Sequence, residues 1–343
     1  MAEGTRTTRR AKLRRGCLAG TISLLVALLC GELLVRAVVG SPRSERRPLL
    51  EVRLNRARGF EMIPHQTHYT YEYPVQVNAL GLRGPELPAE KGGELRVLCL
   101  GDSLIYGQGV ADDQTVPAHM ERLAAERRPF QPFRAVNGGV RAYATHQELA
   151  LLEELGPRVQ ADIVALCWYH NDFEERDIPS TIAKLERTGP ITFDVSDPLE
   201  GWKLVQWQGE QLLRSSALLM HAADVARSWT AKPWPQEFYE AGFARLDGYL
   251  DRFVALTREQ KARPVFVRIP HASSIRSATR YDELDRRAME LAKAKGLEVI
   301  DCLPQLQRDF AGADRLPIIP YDGHFESPGN ESIARAIVTA LLP

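Results

Sequence analysis

The sequence predicts an α/β fold: a mostly parallel sheet covered by helices on both faces, preceded by one membrane-spanning helix. Three observations carry this. From Leu95 onward, apolar runs of strand length alternate with amphipathic helical stretches, as strands buried on both faces by crossover helices require. Residues 16–35 offer roughly the 20 apolar positions that cross a bilayer, interrupted only by Glu32. The 343-residue chain still has length enough, beyond that span, for one domain with a sizeable buried sheet.

Residues 1–15 form a basic tail with Arg6, Arg9, Arg10, Lys12, Arg14 and Arg15. Such a cluster stays on the cytoplasmic side, which puts the bulk of the chain outside, in the periplasm or at the cell surface. No convincing small-residue cleavage site follows the apolar run, and Cys30 follows Leu28 and Leu29 rather than the small residue that lipoprotein processing needs. TRRAKL matches a twin-arginine signal only loosely. Residues 16–35 are therefore read as an uncleaved, single-pass signal anchor, with a cleaved peptide as the alternative.

Residues 36–94 read as a juxtamembrane spacer and N-terminal extension, rich in Arg, Pro and Gly, with a short strand near 75–78 and a turn at 80–84. His65 and His68 lie there and are expected to be solvated. The folded domain then runs from 95 to 343. Strand LRVLCL (95–100) precedes a helix over 116–127. Strand FRAVNGG (133–139) precedes helix THQELALLEELG (145–156), and strand DIVALCWY (162–169) leads to HNDFEER. Strand PVFVRIP (264–270), helix YDELDRRAMELAKAKG (281–296) and strand LEVIDC (297–302) complete the alternation. It lapses over 173–236, read as an insertion, which holds Trp202, Trp207, Trp229 and Trp234 and a helix near 211–229. These rings either close a satellite core or form a platform for sugar rings or the membrane interface.

Composition excludes several classes. Forty-four basic and 44 acidic residues balance, so no nucleic-acid-binding face is implied. The eight histidines contain no HExxH pair, and nothing points to a metal, nucleotide or organic cofactor. Cys99, Cys167 and Cys302 sit in or beside apolar runs and read as buried thiols, not a disulfide framework.

In open α/β sheets, ligands bind beyond the carboxyl ends of the strands. Those ends carry Gly101-Asp102-Ser103, Asn137-Gly138-Gly139 and His170-Asn171-Asp172, and Asp322-Gly323-His324 comes just before the final helix. A hydroxyl, glycine-rich backbone, a carboxamide and an Asp/His pair are the parts acyl transfer needs: nucleophile, oxyanion donors, base and orienting acid. GDSLI lacks the second glycine of a GxSxG elbow, which excludes an α/β-hydrolase turn at Ser103.

Gly101-Asp102-Ser103-Leu104 after a strand, Asn171-Asp172 after a later one and Asp322/His324 before the last helix resemble the GDSL or SGNH hydrolase superfamily. NALGLRG (78–84) and THQELALL extend the resemblance to its bacterial membrane-anchored members. It implies a three-layer, flavodoxin-like fold, with Ser103 as nucleophile, His324 as base and Asp322 as orienting acid. It also implies an oxyanion hole drawn from the Ser103 N–H, Asn171, Gly139 and Ala142. The chain departs from the family pattern in three places. Tyr321 stands three before His324 where the acid usually lies, Ala142 stands five after Asn137 where a glycine is usual, and Tyr169 replaces a glycine two before Asn171. His170 and His271 are further pocket-lining candidates, and Asp301 reads as a loop anchor. Three readings stay open: an esterase acting on a glycan or lipid ester, an O-acyltransferase modifying an extracytoplasmic polysaccharide, and a catalytically degenerate glycan-binding scaffold.

Overall fold

A computed structural model of the chain describes residues 3–88, 90–175, 177–192, 201–230, 232 and 234–343, with side chains from residue 14. The basic side chains from Arg6 to Lys12, residue 89 of the extension and parts of the expected insertion (176, 193–200, 231 and 233) lie outside the described residues. In chain order come α1 (Glu3–Val38), β1 (Glu51–Asn55), β2 (Gly59–Met62), β3 (Thr67–Thr70) and β4 (Tyr73–Gln76). Next are β5 (Leu95–Gly101), α2 (Ser103–Tyr106), α3 (Val116–Arg127), β6 (Phe133–Gly139), α4 (Thr145–Val159) and β7 (Ile163–Trp168). There follow α5 (Ile178–Thr188), β8 (Ile191–Thr192), α6 (Gly201–Leu213), α7 (Ala217–Thr230) and α8 (Gln236–Glu259). The chain closes with β9 (Arg263–Arg268), α9 (Arg280–Ala294), β10 (Glu298–Asp301), α10 (Leu303–Phe310) and α11 (Ser327–Leu341).

Two compact units result: Met1–Ser44 with Gln208–Lys232, and Glu45–Trp207 with Pro233–Pro343. In the first, α1 carries a stretch over Arg14–Val38 long and apolar enough to cross a membrane. The second is built on a five-stranded parallel sheet in the order β10-β9-β7-β5-β6. Side chains alternate across it as a period of two demands. Leu98, Leu100, Val164, Leu166 and Phe266 face a core closed by α4, α8 and α9. Val97, Cys99, Ala165, Cys167, Val265 and Val267 face another, closed by α3 and α11. The three expected thiols are buried and free. The sheet order reverses direction beside β5, and the crevice at that switch lies beyond the carboxyl ends of β5 and β7.

The extension is more ordered than its composition suggests. The strand expected near 75–78 is β4, which pairs antiparallel with β3, while β1 pairs with β2 and β8. His68, expected to be solvated, is fully buried. It lies on the inward side of β3, with Nε2 2.6 Å from the Tyr106 hydroxyl. Burial, with the charges of Arg141 and Arg83, lowers its pKa to about 3, so the ring is neutral. The 24-residue α8 and the short α10 are not among the expected elements.

One buried cation joins β9, α9 and β10. Arg268 lies 2.7 Å from Asp285, 3.0 Å from Asp301 and 3.5 Å from Asp282. Asp301 Oδ1 also accepts the Leu303 N–H at 3.0 Å, which makes it the loop anchor the sequence suggests. Removing the guanidinium leaves the fully buried carboxylate of Asp285 unpaired. Arg268→Ala should therefore cost about 3–5 kcal/mol, read as a fall in the thermal-unfolding midpoint.

Candidate active site

Strand β5 ends at Gly101, where a Cβ would fall 2.5 Å from Ile105 Cγ1. Asp102 then caps a one-turn helix, its Oδ1 accepting the Leu104 N–H at 2.8 Å. Ser103 is the first residue of that turn, so its backbone N–H has no acceptor within the helix. The turn stops at Gly107, which is left-handed at φ 86°. Arg83 holds the segment that follows. Its Nη1 donates to the carbonyls of Tyr106 (2.9 Å) and Gly107 (2.7 Å), its Nη2 to Val110 (2.7 Å) and its Nε to Asp112 (2.8 Å). Asn78 shapes the turn presenting Arg83, its Oδ1 accepting the N–H groups of Leu80 and Leu82. The NALGLRG stretch is thus the support of the Ser103 loop.

Asn171 follows β7, and its Nδ2 donates to Asp102 Oδ2 at 2.9 Å. Asp102 therefore ties the end of β5 to the end of β7. At the end of β6 the expectation for Gly139 needs correction. Its N–H already donates to Asn137 Oδ1 at 3.0 Å, so it is not a free oxyanion donor. A Cβ on Gly139 would sit 2.1 Å from the Tyr106 nitrogen. Glycine is needed here because the backbone of α2 lies directly on it. Ala142 is left-handed at φ 65°, in the turn closed by the Tyr143 N–H to the Val140 carbonyl.

The loop before α11 brings Asp322 and His324 together despite their two-residue spacing. Tyr321 (φ 64°) and Gly323 (φ 91°) are both left-handed. The resulting tight turn lets Asp322 Oδ1 accept both the His324 backbone N–H (3.0 Å) and its Nδ1–H. His324 Nε2 lies 2.7 Å from Ser103 Oγ. The second oxygen of Asp322 accepts the hydroxyl of Tyr71 at 2.5 Å. Tyr71 is wholly buried at the tip of the β3–β4 hairpin, with φ 52°. Its ring passes over Gly109, where a Cβ would come within 3.0 Å of it. A left-handed tyrosine costs on the order of 1 kcal/mol or more and persists only where its surroundings fix it.

Serine, imidazole and carboxylate thus form one hydrogen-bonded line, with Ser103 8 % exposed. Burial would raise the Asp322 pKa, but the charge of His324 and the hydrogen bonds from His324 and Tyr71 hold it well below the carboxylate range. Burial would lower the His324 pKa, yet the charge and hydrogen bond of Asp322, with the charge of Asp102, hold it above the ordinary histidine value. His170 and His271 form a separate ring cluster at the ends of β7 and β9, with centroids 5.5 Å apart and each stacked on Tyr281. Burial lowers the His170 pKa to about 3, ahead of the charges of His271 and Arg280.

Beneath the Ser103 loop, Glu148 is fully buried on α4, and among the described residues both its carboxyl oxygens lack a hydrogen-bond partner. Burial and the charge of Asp102 raise its pKa well above the usual value, and Asp172 is raised by burial and by Glu148 and Asp102. The folded chain holds the Glu148 proton more tightly than the unfolded chain does. The stability it supports is full below the unfolded value near 4.5 and is lost as pH rises towards the folded one. Glu148→Gln keeps the shape without the ionisation. Its unfolding midpoint should fall less than that of the wild type between about pH 5 and about pH 8.

The sequence reading missed Tyr71 and the tie between Asp102 and Asn171. Tyr71 carries no sequence signal beyond the aromatic patch HYTYEY in which it stands.

The model of the GDSL-like Lipase/Acylhydrolase family matches residues 99–331. No curated protein matches the chain. Solved structures are similar at low identity. An α/β hydrolase enzyme from the metagenome of Lake Arreo, Spain, is 15 % identical over 74 % of this chain and 97 % of its own, with a TM-score of 0.45. A mutant of an acetyl-xylooligosaccharide esterase from Geobacillus is 14 % identical over 75 % and 97 %, at 0.45. The lipase/acylhydrolase from Enterococcus faecalis is 15 % identical over 72 % and 94 %, at 0.41.

Proposed function

The chain belongs to the GDSL-like lipase/acylhydrolase family and is a serine hydrolase acting on esters; on that premise we propose that it is a membrane-anchored, extracytoplasmic esterase that removes small acyl groups from carbohydrate or lipid alcohols through an acyl-enzyme on Ser103. The observation that carries this reading is the unbroken line from Ser103 Oγ to His324 Nε2 at 2.7 Å, and from His324 Nδ1 to Asp322. Ser103 Oγ attacks the ester carbonyl while His324 Nε2 takes its proton, and Asp322 balances the imidazolium. The tetrahedral oxyanion is received by the Ser103 N–H and by Asn171 Nδ2, which Asp102 orients. His324 returns the proton to the departing alkoxide. Water, deprotonated by the same imidazole, then attacks the acyl carbonyl; the bond from that carbon to Ser103 Oγ breaks, the oxygen takes the proton back from His324 Nε2, and the carboxylic acid leaves.

Labelling of the full chain by a fluorophosphonate probe tests the assignment. Ser103→Ala and His324→Ala should each abolish it and lower ester turnover roughly 10⁴-fold or more. Labelling that survives Ser103→Ala would place the nucleophile elsewhere. An acetyl ester should turn over faster than an octanoyl ester of the same alcohol.

The base must be neutral to act. Because its pKa is raised, kcat/KM should climb with pH through a limb above the ordinary histidine value near 6.5. Tyr71→Phe removes one donor from the Asp322 carboxylate, leaving its charge less dispersed and its grip on the imidazolium tighter. This variant should move the acid limb further up in pH, so that kcat falls at pH values below the limb and changes little above it, with KM unchanged. A variant that loses only thermal stability would leave Tyr71 a purely structural residue.

A further inference from the structure

Glu32 is the one acid in the Arg14–Val38 stretch, and the structure gives it partners. Its Oε2 accepts the Ser216 hydroxyl at 2.7 Å and the Leu218 N–H at 2.9 Å, and its Oε1 accepts the Ala217 N–H at 3.0 Å. Arg36 Nε donates to Oε1 at 2.6 Å, and Arg36 Nη2 reaches the Ser215 carbonyl at 3.4 Å. The carboxylate thus caps the first turn of α7. Leu218 lies on Gly31, where a Cβ would be 3.3 Å from its Cδ2. These contacts fix where α7 leaves α1: six residues before Val38, or about 9 Å at 1.5 Å per residue.

Beyond that first turn, α7 turns its apolar side outward. Leu219, Ala222, Ala226 and Trp229 follow helical spacing along one stripe, and all four are exposed, Leu219 at 53 % and Trp229 at 83 %. His221, Asp224 and Ser228 occupy the opposite side. Only Ala217 and Met220 of this helix are buried. Leu218 sits beside the stripe, so the side of α7 that meets α1 continues into the exposed apolar side. Leu212, 74 % exposed, adds to the apolar surface of the same unit.

We propose that α7 lies along the bilayer–water boundary of the leaflet from which α1 emerges, with Leu219, Ala222, Ala226 and Trp229 among the acyl chains. This rests on the reading of α1 as a membrane anchor. An amphipathic helix with tryptophan on its apolar side partitions to that depth. An apolar stripe beginning at the exit of a membrane span has lipid as its nearest apolar phase, and left in water it would be an aggregation site. The unit thereby gains a second, in-plane foothold beside its spanning helix.

The test uses the full chain in phosphatidylcholine vesicles with and without bromine on the acyl chains. The difference in tryptophan emission between wild type and Trp229→Phe isolates Trp229. That component should be lost in brominated vesicles and should resist aqueous iodide. A Leu219→Glu variant should restore iodide quenching while the chain still floats with the vesicles. If Trp229 is quenched by iodide and not by bromine, the stripe faces water and the proposal fails. If neither quencher reaches it and cross-linking yields dimers, a second copy covers the stripe and the proposal fails. A chain that does not float with the vesicles overturns the anchor reading and this inference together. Esterase activity enters none of these readouts, so the catalytic reading stands or falls separately.

Discussion

A single buried carboxylate, that of Asp322, organises the second unit around itself. A charge out of water is tolerable only when donors surround it. Asp322 takes three: the backbone N–H and Nδ1–H of His324, two residues on, and the hydroxyl of Tyr71, 251 residues away. The first two require a loop wound left-handed at Tyr321 and Gly323. The third requires a hairpin that drives a tyrosine into the core in a strained conformation and a glycine at 109 that lets the ring pass. Several unusual backbone positions of this chain therefore answer to one electrostatic demand.

A second demand is that the Ser103 turn stop after four residues and stay put. Asp102 caps its start and Gly107 ends it, while the guanidinium of Arg83 gathers the carbonyls that one helical turn leaves bare. The sheet supplies the rest. Parallel strands end together, so β5 and β7 deliver Asp102 and Asn171 within one hydrogen bond of each other.

What could be read from the sequence follows from what is local. β5, β6, β7, β9 and β10 were legible because each is an apolar run bounded by turn residues, and α3, α4 and α9 because their periodicity spans several turns. The Ser, Asn and Asp/His blocks stood out because each punctuates a strand end or the last helix. Gly139 was read as an oxyanion donor because its dependence on the backbone of α2 is a matter of packing, not pattern. His68 was misread for the same reason: one histidine in a four-residue strand does not announce which side faces inward. The tryptophans between residues 173 and 236 divide likewise, Trp207 buried and Trp229 exposed, a split no composition argument could make.

The extension from residue 45 onward has the composition of a linker, yet it contributes Tyr71 and Arg83, while the family match begins only at residue 99. The matched span is thus an incomplete machine whose last two fittings are supplied from upstream. Shuffling it between proteins at the apparent domain boundary would separate a catalytic fold from the parts that set its acid and its loop. The unit of inheritance, and of any transplant, is therefore longer than the unit that sequence similarity outlines.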